Sequence, residues 1–242
     1  MNGLRLQNNA GIAGLLALAL AMAAPAQAHE MGHDLFAAAM LDRLEMRNSS
    51  AGNSSYWEGQ AWAGGDVNKA WLKTQGDLRQ GKVQTADAQL LYSRAIAPYW
   101  DAQIGARHDF AYASAPARDW LAVAFKGLAP YKFDIDASAY LGRQGAAARV
   151  KAGYTLLFTQ RLGLQPEAEA NFYGRSDPAR ALGSGLSNFD FGLRLRYEIR
   201  REFAPYVVVT WSNKYGATAS YARATGEAVN QVYYGAGVRL WW

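Results

Sequence analysis

The chain has no cysteine, so disulfide bonds and thiol chemistry are excluded. Only three histidines are present, His29, His33 and His108, so a metal site rich in imidazole nitrogen must draw on few residues. The single long apolar run, residues 12–24, is shorter than the roughly twenty residues that a membrane-spanning helix requires. Basic side chains are scattered along the chain and form no patch, which argues against nucleic acid as a partner.

The amino-terminal apolar run has the features of a secretory signal peptide. Arg5 precedes it, and the small-residue sequence Ala26-Gln27-Ala28 follows it as a cleavage site. We therefore predict a signal peptide over residues 1–28 and a mature, exported chain that begins at His29.

The last twelve residues alternate strictly between two kinds of side chain. Val232, Tyr234, Val238, Leu240 and Trp242 share one parity with Ala236, and mostly polar or small residues occupy the other. A period of two predicts a β-strand with one apolar face. A terminal aromatic residue after such a strand is typical of the closing strand of an outer-membrane β-barrel.

The same two-sided pattern recurs along the rest of the chain. Mean hydropathy is slightly negative at -0.20 although aromatic residues make up 13%, as expected where apolar and polar residues alternate. Most of the predicted strands reach the roughly nine residues that a tilted strand needs to cross a bilayer. The predicted strands are residues 35–47, 56–64, 68–78, 83–94, 99–112, 120–128, 131–141, 147–159, 163–172, 187–199, 205–213 and 231–242.

The connections between these strands alternate between tight and loose. An Ala-Pro-Tyr motif occurs at residues 97–99, 129–131 and 204–206, and we predict a tight connection at each. Short periplasmic turns and longer outer loops alternate in this way around a barrel, and a closed barrel needs an even number of strands. The all-β fold predicted for residues 35–242 is thus a transmembrane antiparallel up-and-down β-barrel of twelve strands. A ten-stranded barrel with residues 56–78 outside the wall is the alternative.

Charged residues on the predicted inward faces carry both signs. Glu167, Glu169, Arg194 and Arg196 lie on neighbouring strands, where an unpaired charge is costly, so we predict that they form one satisfied network. Either a rigid structural ladder or a conducting or ligand-binding row is compatible with this pattern. A channel for one charged solute carries one sign of charge, so the mixture favours a filled or narrow lumen.

Two other classes of function can be weighed from the residues. A barrel phospholipase needs a serine nucleophile beside a histidine base, but Met31, Leu35 and Phe110 stand two positions after the histidines, so we predict no enzyme. The alternative to a dedicated metal protein is a general or solute-specific porin. Liposome swelling distinguishes the two.

Several blocks of the sequence resemble the copper resistance protein B family of outer-membrane proteins. The resemblance runs from about residue 34 to Trp242. The blocks are QAWAGGD at 60–66, WLKT at 71–74, YSRAIAPYWD at 92–101, GLAPY at 127–131, LGLQPE at 162–167 and LRLRYEIRREFAPY at 193–206.

This resemblance implies an outer-membrane barrel that holds or passes copper ions across the outer membrane within a copper homeostasis system. It implies outer-membrane lipid as the surroundings and a periplasmic multicopper oxidase as a partner. Members of the family often carry a methionine- and histidine-rich extension before the barrel. Here that extension is reduced to a short periplasmic segment, residues 29–34.

Residues 29–34 supply the candidate copper ligands His29, Met31 and His33. The α-amino group and imidazole of a first-residue histidine can chelate one copper ion, a second imidazole can join it, and a thioether suits Cu(I). Met40 and Met46 either extend this path or pack within the wall. For His108, near the outer end of its strand, an interfacial aromatic-belt position is the favoured interpretation.

Mass spectrometry of the mature protein tests the signal peptide directly. We expect cleavage between Ala28 and His29, because a small-residue motif ends there, and we expect the product in the outer-membrane fraction. Any other first residue contradicts both the cleavage site and the chelate that depends on it.

Overall fold

The computed structural model describes residues 35–112 and 115–242, so the predicted signal peptide and residues 29–34 lie outside the described residues. Within these residues, besides the strands, there are one helix, α1 (Gly216–Ala224), and two 3₁₀ turns, Pro130–Lys132 and Pro178–Arg180. In the described part of the chain, no helix is long and apolar enough to cross a membrane. The strands are β1 (Phe36–Ser49), β2 (Gly52–Gly64), β3 (Asn68–Arg79), β4 (Lys82–Ala97), β5 (Trp100–Asp109), β6 (Arg118–Ala129), β7 (Phe133–Gly142), β8 (Gly145–Gly153), β9 (Leu156–Leu157), β10 (Leu162–Tyr173), β11 (Gly185–Tyr197), β12 (Phe203–Lys214) and β13 (Asn230–Trp241).

The strands form one closed antiparallel sheet. Sequence neighbours pair with each other, and β13 pairs with β1 to complete the wall. β8 and β9 pair with the same edge of β10, so together they occupy one strand position of the barrel wall. We call each such strand position a stave. The wall therefore has twelve staves, which confirms the predicted fold. The ten-stranded alternative is wrong, because β2 and β3 lie within the wall.

A proline explains why the predicted strand 147–159 is interrupted between β8 and β9. Continuing the register of β10 places Tyr154 opposite Pro166. The Tyr154 N–H donates to the Pro166 carbonyl at 3.0 Å, but proline has no N–H to return the second bond. The ladder resumes at Leu156, so the interruption is local.

A β-bulge explains why the sequence of the first strand is ambiguous. Leu41 pairs with Gly59 and Arg43 with Glu58, so Asp42 is an extra residue relative to β2. A bulge of this kind bends the strand and breaks the period of two. The prediction that residues 35–47 contain a strand is confirmed as β1.

The Ala-Pro-Tyr motif marks a tight connection at two of its three positions. Tyr99 and Tyr131 have positive φ angles of 66° and 64° in the connections that follow β4 and β6. At the third position the prediction is wrong, because Pro205 is the third residue of β12 and pairs with Val238. Residues 198–202 already make that turn, and proline is tolerated close to a strand end.

Side chains alternate across the wall as predicted. Apolar residues such as Leu90, Leu141 and Val207 are exposed on the outside, where lipid surrounds a barrel of this kind. Polar residues such as Gln103 and Ser138 are buried inside. This arrangement places the charged residues in the lumen.

The last residue of the chain extends the β13–β1 ladder that closes the wall by one further bonded pair. The Trp242 N–H donates to the Ala39 carbonyl at 2.8 Å, and the Ala39 N–H donates back to the Trp242 carbonyl at 3.1 Å. Backbone groups left unpaired in the hydrocarbon region cost several kcal/mol each.

Deletion of Trp242 should therefore lower the folded fraction of the protein in the outer membrane, measured as the heat-modifiable band on gel electrophoresis. A Trp242→Ala variant keeps both backbone bonds and is the matched control for the loss of the side chain alone. Wild-type yield of the folded form after the deletion would count against a role for Trp242 in assembly.

Candidate functional site

An ion pair spans the lumen from one wall to the other. Glu58 lies on β2 and Lys151 lies on β8, on opposite sides of the barrel, yet Lys151 Nζ is 2.8 Å from Glu58 Oε1. Both side chains are more than three-quarters buried. The pair therefore occupies the middle of the lumen.

Further charges from two other strands, β1 and β10, join this pair. Arg43 on β1 lies 3.2 Å from Glu58 through Nε and also pairs with Glu167 on β10. Lys151 is 3.5 Å from Glu169, which lies two residues beyond Glu167 on the same strand. Each cation thus bridges two carboxylates, and the attraction within such an arrangement can offset the desolvation free energy of the buried charges.

Glu45 is the most deeply buried charge in this group. Its side chain is completely inaccessible to solvent, and three groups satisfy it. Arg194 Nε lies 3.2 Å from its carboxylate, Arg47 Nη2 lies 2.5 Å away, and the Tyr206 hydroxyl donates at 3.0 Å. We call Arg43, Glu45, Glu58, Lys151, Glu167, Glu169 and Arg194 together the transluminal cluster.

The predicted network is correct in part. Arg194 does approach Glu167, at 3.5 Å. Glu169 pairs instead with Lys151, and Arg196 pairs with Glu198 at 2.9 Å, outside the cluster. Lys151 is the direct neighbour of Glu169 in the β8–β10 ladder, whereas Arg43 reaches Glu167, and Glu58 reaches Lys151, from across the lumen.

A cavity of about 690 Å³ lies on the periplasmic side of the transluminal cluster. Glu58, Lys151 and Glu167 line its inner end, and Asp66, Tyr99 and other residues of the short connections line its mouth. The cavity is therefore a vestibule that faces the periplasm.

Two outer connections meet at the other end of the barrel. Arg118 at the start of β6 pairs with Asp177 in the β10–β11 connection at 2.9 Å and with Asp109 at 2.8 Å. Arg180, from the same connection, donates to the carbonyls of Phe110 and Pro116. These contacts join connections that are several staves apart, so they tie the β10–β11 connection across part of the outer opening.

The structure places the remaining sequence candidates as follows. His29, Met31 and His33 lie outside the described residues. His108 projects outward near the outer rim, with Nδ1 2.6 Å from Asp119 Oδ1 and its ring edge-on to Phe110, as the interfacial interpretation predicts. Over residues 35–112 and 115–242, no group of three or more histidine or carboxylate side chains is placed to hold a metal ion.

The two methionines of β1 differ in position. Met40 is partly buried and packs against a buried apolar cluster that includes Trp71 and Leu91. Met46 is 77% exposed on the outside of the wall. Met46 therefore cannot extend a path through the lumen, and Met40 has the packing role that was the alternative.

Comparison with known proteins identifies the family. The model of the family described as "Copper resistance protein B precursor (CopB)" matches residues 35–242, which is the whole barrel. The chain belongs to the copper resistance protein B family. Copper resistance is accordingly the setting in which this barrel acts.

Two known proteins are similar to this chain over most of its length. The chain is 45% identical to "Copper resistance protein B" of Escherichia coli over 203 residues, which are 84% of this chain and 68% of the relative. It is 45% identical to "Copper resistance protein B homolog" of Pseudomonas syringae pv. tomato over 201 residues, which are 83% and 68%.

Solved outer-membrane barrels share the fold. The NanC porin structure superposes with a TM-score of 0.52 at 11% identity, covering 82% of this chain and 98% of that one. Outer membrane phospholipase A from Escherichia coli superposes with a TM-score of 0.52 at 14% identity, covering 83% and 92%. At these identities the likeness shows the barrel fold alone.

Substitution of Arg194 by leucine tests the transluminal cluster. The change leaves Glu45 buried with one fewer cation, so we expect a loss of about 3 kcal/mol in the free energy of unfolding, measured by denaturant titration of the folded protein.

Lys214→Leu is the matched control. Lys214 pairs at 2.7 Å with Glu227, and its hydrogen bond holds the pKa of that carboxyl below its ordinary value, but the Glu227 side chain is about half exposed. A surface pair contributes about 1 kcal/mol or less. Equal unfolding midpoints for the two variants would mean that the charges of the cluster face bulk water.

Proposed function

We propose that this protein is a non-enzymatic copper-holding barrel of the outer membrane, in which His29, Met31 and His33 capture copper at the periplasmic mouth. The position of β1 is the observation that carries the proposal. Phe36, its first residue, pairs with Gly64 beside the periplasmic β2–β3 connection. The seven residues from His29 to Leu35, which precede Phe36, span at most about 25 Å, so the ligands are tethered to the mouth of the vestibule.

The charges at the mouth favour cations. Asp66, Asp101 and Asp134 line the vestibule at or next to periplasmic connections, and within the described residues none of their carboxylates forms an ion pair within 4.0 Å, although the Lys69 ammonium donates to the Asp66 backbone carbonyl. Carboxylates that are not neutralised raise the local concentration of cations. Copper ions in the periplasm would thus be drawn to the same end of the barrel as the proposed ligands.

The closed middle of the lumen favours holding over free conduction. A hydrated ion would have to separate the pairs of the transluminal cluster to pass, and each buried charge would then lose its partner. This observation supports a copper-holding role over the alternative of a general porin. A periplasmic multicopper oxidase is the partner that we propose on the basis of the family, since it would meet copper on the same side of the membrane.

The chelate is tested by a mature protein extended by one alanine before His29. The extension turns the α-amino group into an amide and removes one ligand, so we expect weaker copper binding than in the native protein. Competition titration against a copper chelator measures the difference. Affinity should also fall below about pH 6.5, because amine and imidazole ligands must lose protons to bind.

His108→Ala is the control, because His108 lies at the outer rim and should contribute nothing to copper binding. Equal copper affinity for the native and extended proteins would falsify the proposed chelate.

A further inference from the structure

The inner end of the vestibule contains hydrogen-bond donors that lack acceptors. Trp71 is only 7% exposed and lines the cavity, yet its indole N–H has no partner among the described residues. The Lys126 ammonium lies 4.7 Å from the Trp71 ring, and among residues 35–112 and 115–242 the one side-chain acceptor that it reaches is Gln60 Oε1 at 3.1 Å. Lysine carries three N–H donors, so Lys126 retains capacity for a ligand.

Arg149 lines the same end of the cavity and has a similar shortage of acceptors. It is 6% exposed, and one guanidinium nitrogen donates to Gln75 Oε1 at 2.7 Å. No carboxylate lies within 4.0 Å of it in the part of the chain that the structure describes. A buried guanidinium without a paired anion is costly, and its planar set of five donors matches an oxyanion.

Asp136 lies among the basic side chains at this end. Asp136 lies opposite Lys126 in the β6–β7 ladder and is 3.2 Å from Lys73. Its other oxygen accepts a hydrogen bond from Ser138, which faces Arg149 in the β7–β8 ladder. Asp101 lies opposite Lys126 in the β5–β6 ladder, but neither Lys126 nor Arg149 has a carboxylate within 4.0 Å in the part of the chain that the structure describes. We call Lys73, Lys126 and Arg149 together with Trp71 the cavity floor.

We propose that the cavity floor binds a small multivalent oxyanion, such as a tricarboxylate or a phosphate, that enters from the periplasm. Among the described residues that line the cavity, the unmet groups at the floor, Trp71, Lys126 and Arg149, are all donors, whereas the carboxylates without an ion pair, Asp66, Asp101 and Asp134, lie at or next to periplasmic connections. A volume of about 690 Å³ is in the usual range for a small-molecule site. The site uses neither His29 nor copper, so it is separate from the proposed chelate.

Calorimetric titration of the folded, detergent-solubilised protein tests the site, with citrate and inorganic phosphate as the probes and without copper. We expect at least one of the two to bind at a one-to-one ratio, and comparison of the two affinities shows whether the floor prefers a carboxylate or a phosphate. Arg149→Gln and Lys126→Gln should each weaken that binding about tenfold, because each removes a charged donor. Two variants are used because Arg149 is buried, and the heat-modifiable band checks the fold of both.

Arg143→Gln is the control, because it removes the same charge from an exposed position in the outer β7–β8 connection. It should bind the probe as the native protein does, and so should the protein extended by one alanine. Failure of both probes to bind the native protein would overturn the proposal, and so would equal losses in Arg143→Gln and Arg149→Gln. A failure of copper binding with normal citrate or phosphate binding would overturn the chelate alone.

Discussion

The ion pair between Glu58 and Lys151 joins opposite sides of the barrel, and the arrangement of the lumen follows from it. The pair meets only if β2 and β8 face each other, which requires a closed wall of this circumference. It also requires the correct register, because a shift of one residue moves every inward side chain to the lipid face. The ion pairs in the middle of the lumen therefore form only when the backbone hydrogen bonds close the wall in the correct register.

The bulge in β1 contributes to this arrangement. Asp42 is the extra residue, and beyond it Arg43 and Glu45 both point into the lumen. Arg43 reaches Glu58 and Glu167, and Glu45 accepts from Arg194 and Tyr206. The bulge of one residue thus directs Arg43 and Glu45 into the transluminal cluster, and Asp42 lines the vestibule.

The sequence predicts the parts of this structure that depend on local pattern. Strand alternation, the need for an even strand count and the tight connections led to twelve strands. Local pattern gave wrong predictions at two prolines. Pro166, which has no N–H, interrupts the strand opposite it between β8 and β9, and Pro205 lies within β12 rather than in a turn. The charge partners were only partly predictable, because Glu58 and Lys151 are 93 residues apart and meet through the curvature of the whole wall.

The tie across the outer opening bears on the permeability of the cell. Arg180 and Asp177 hold the β10–β11 connection against the β5–β6 connection, and the transluminal cluster closes the lumen below them. The large cavity opens inward, so an extracellular antibiotic or detergent meets two successive layers of paired charge. A solute that enters from outside would therefore have to separate charge pairs at two depths before it reached the vestibule.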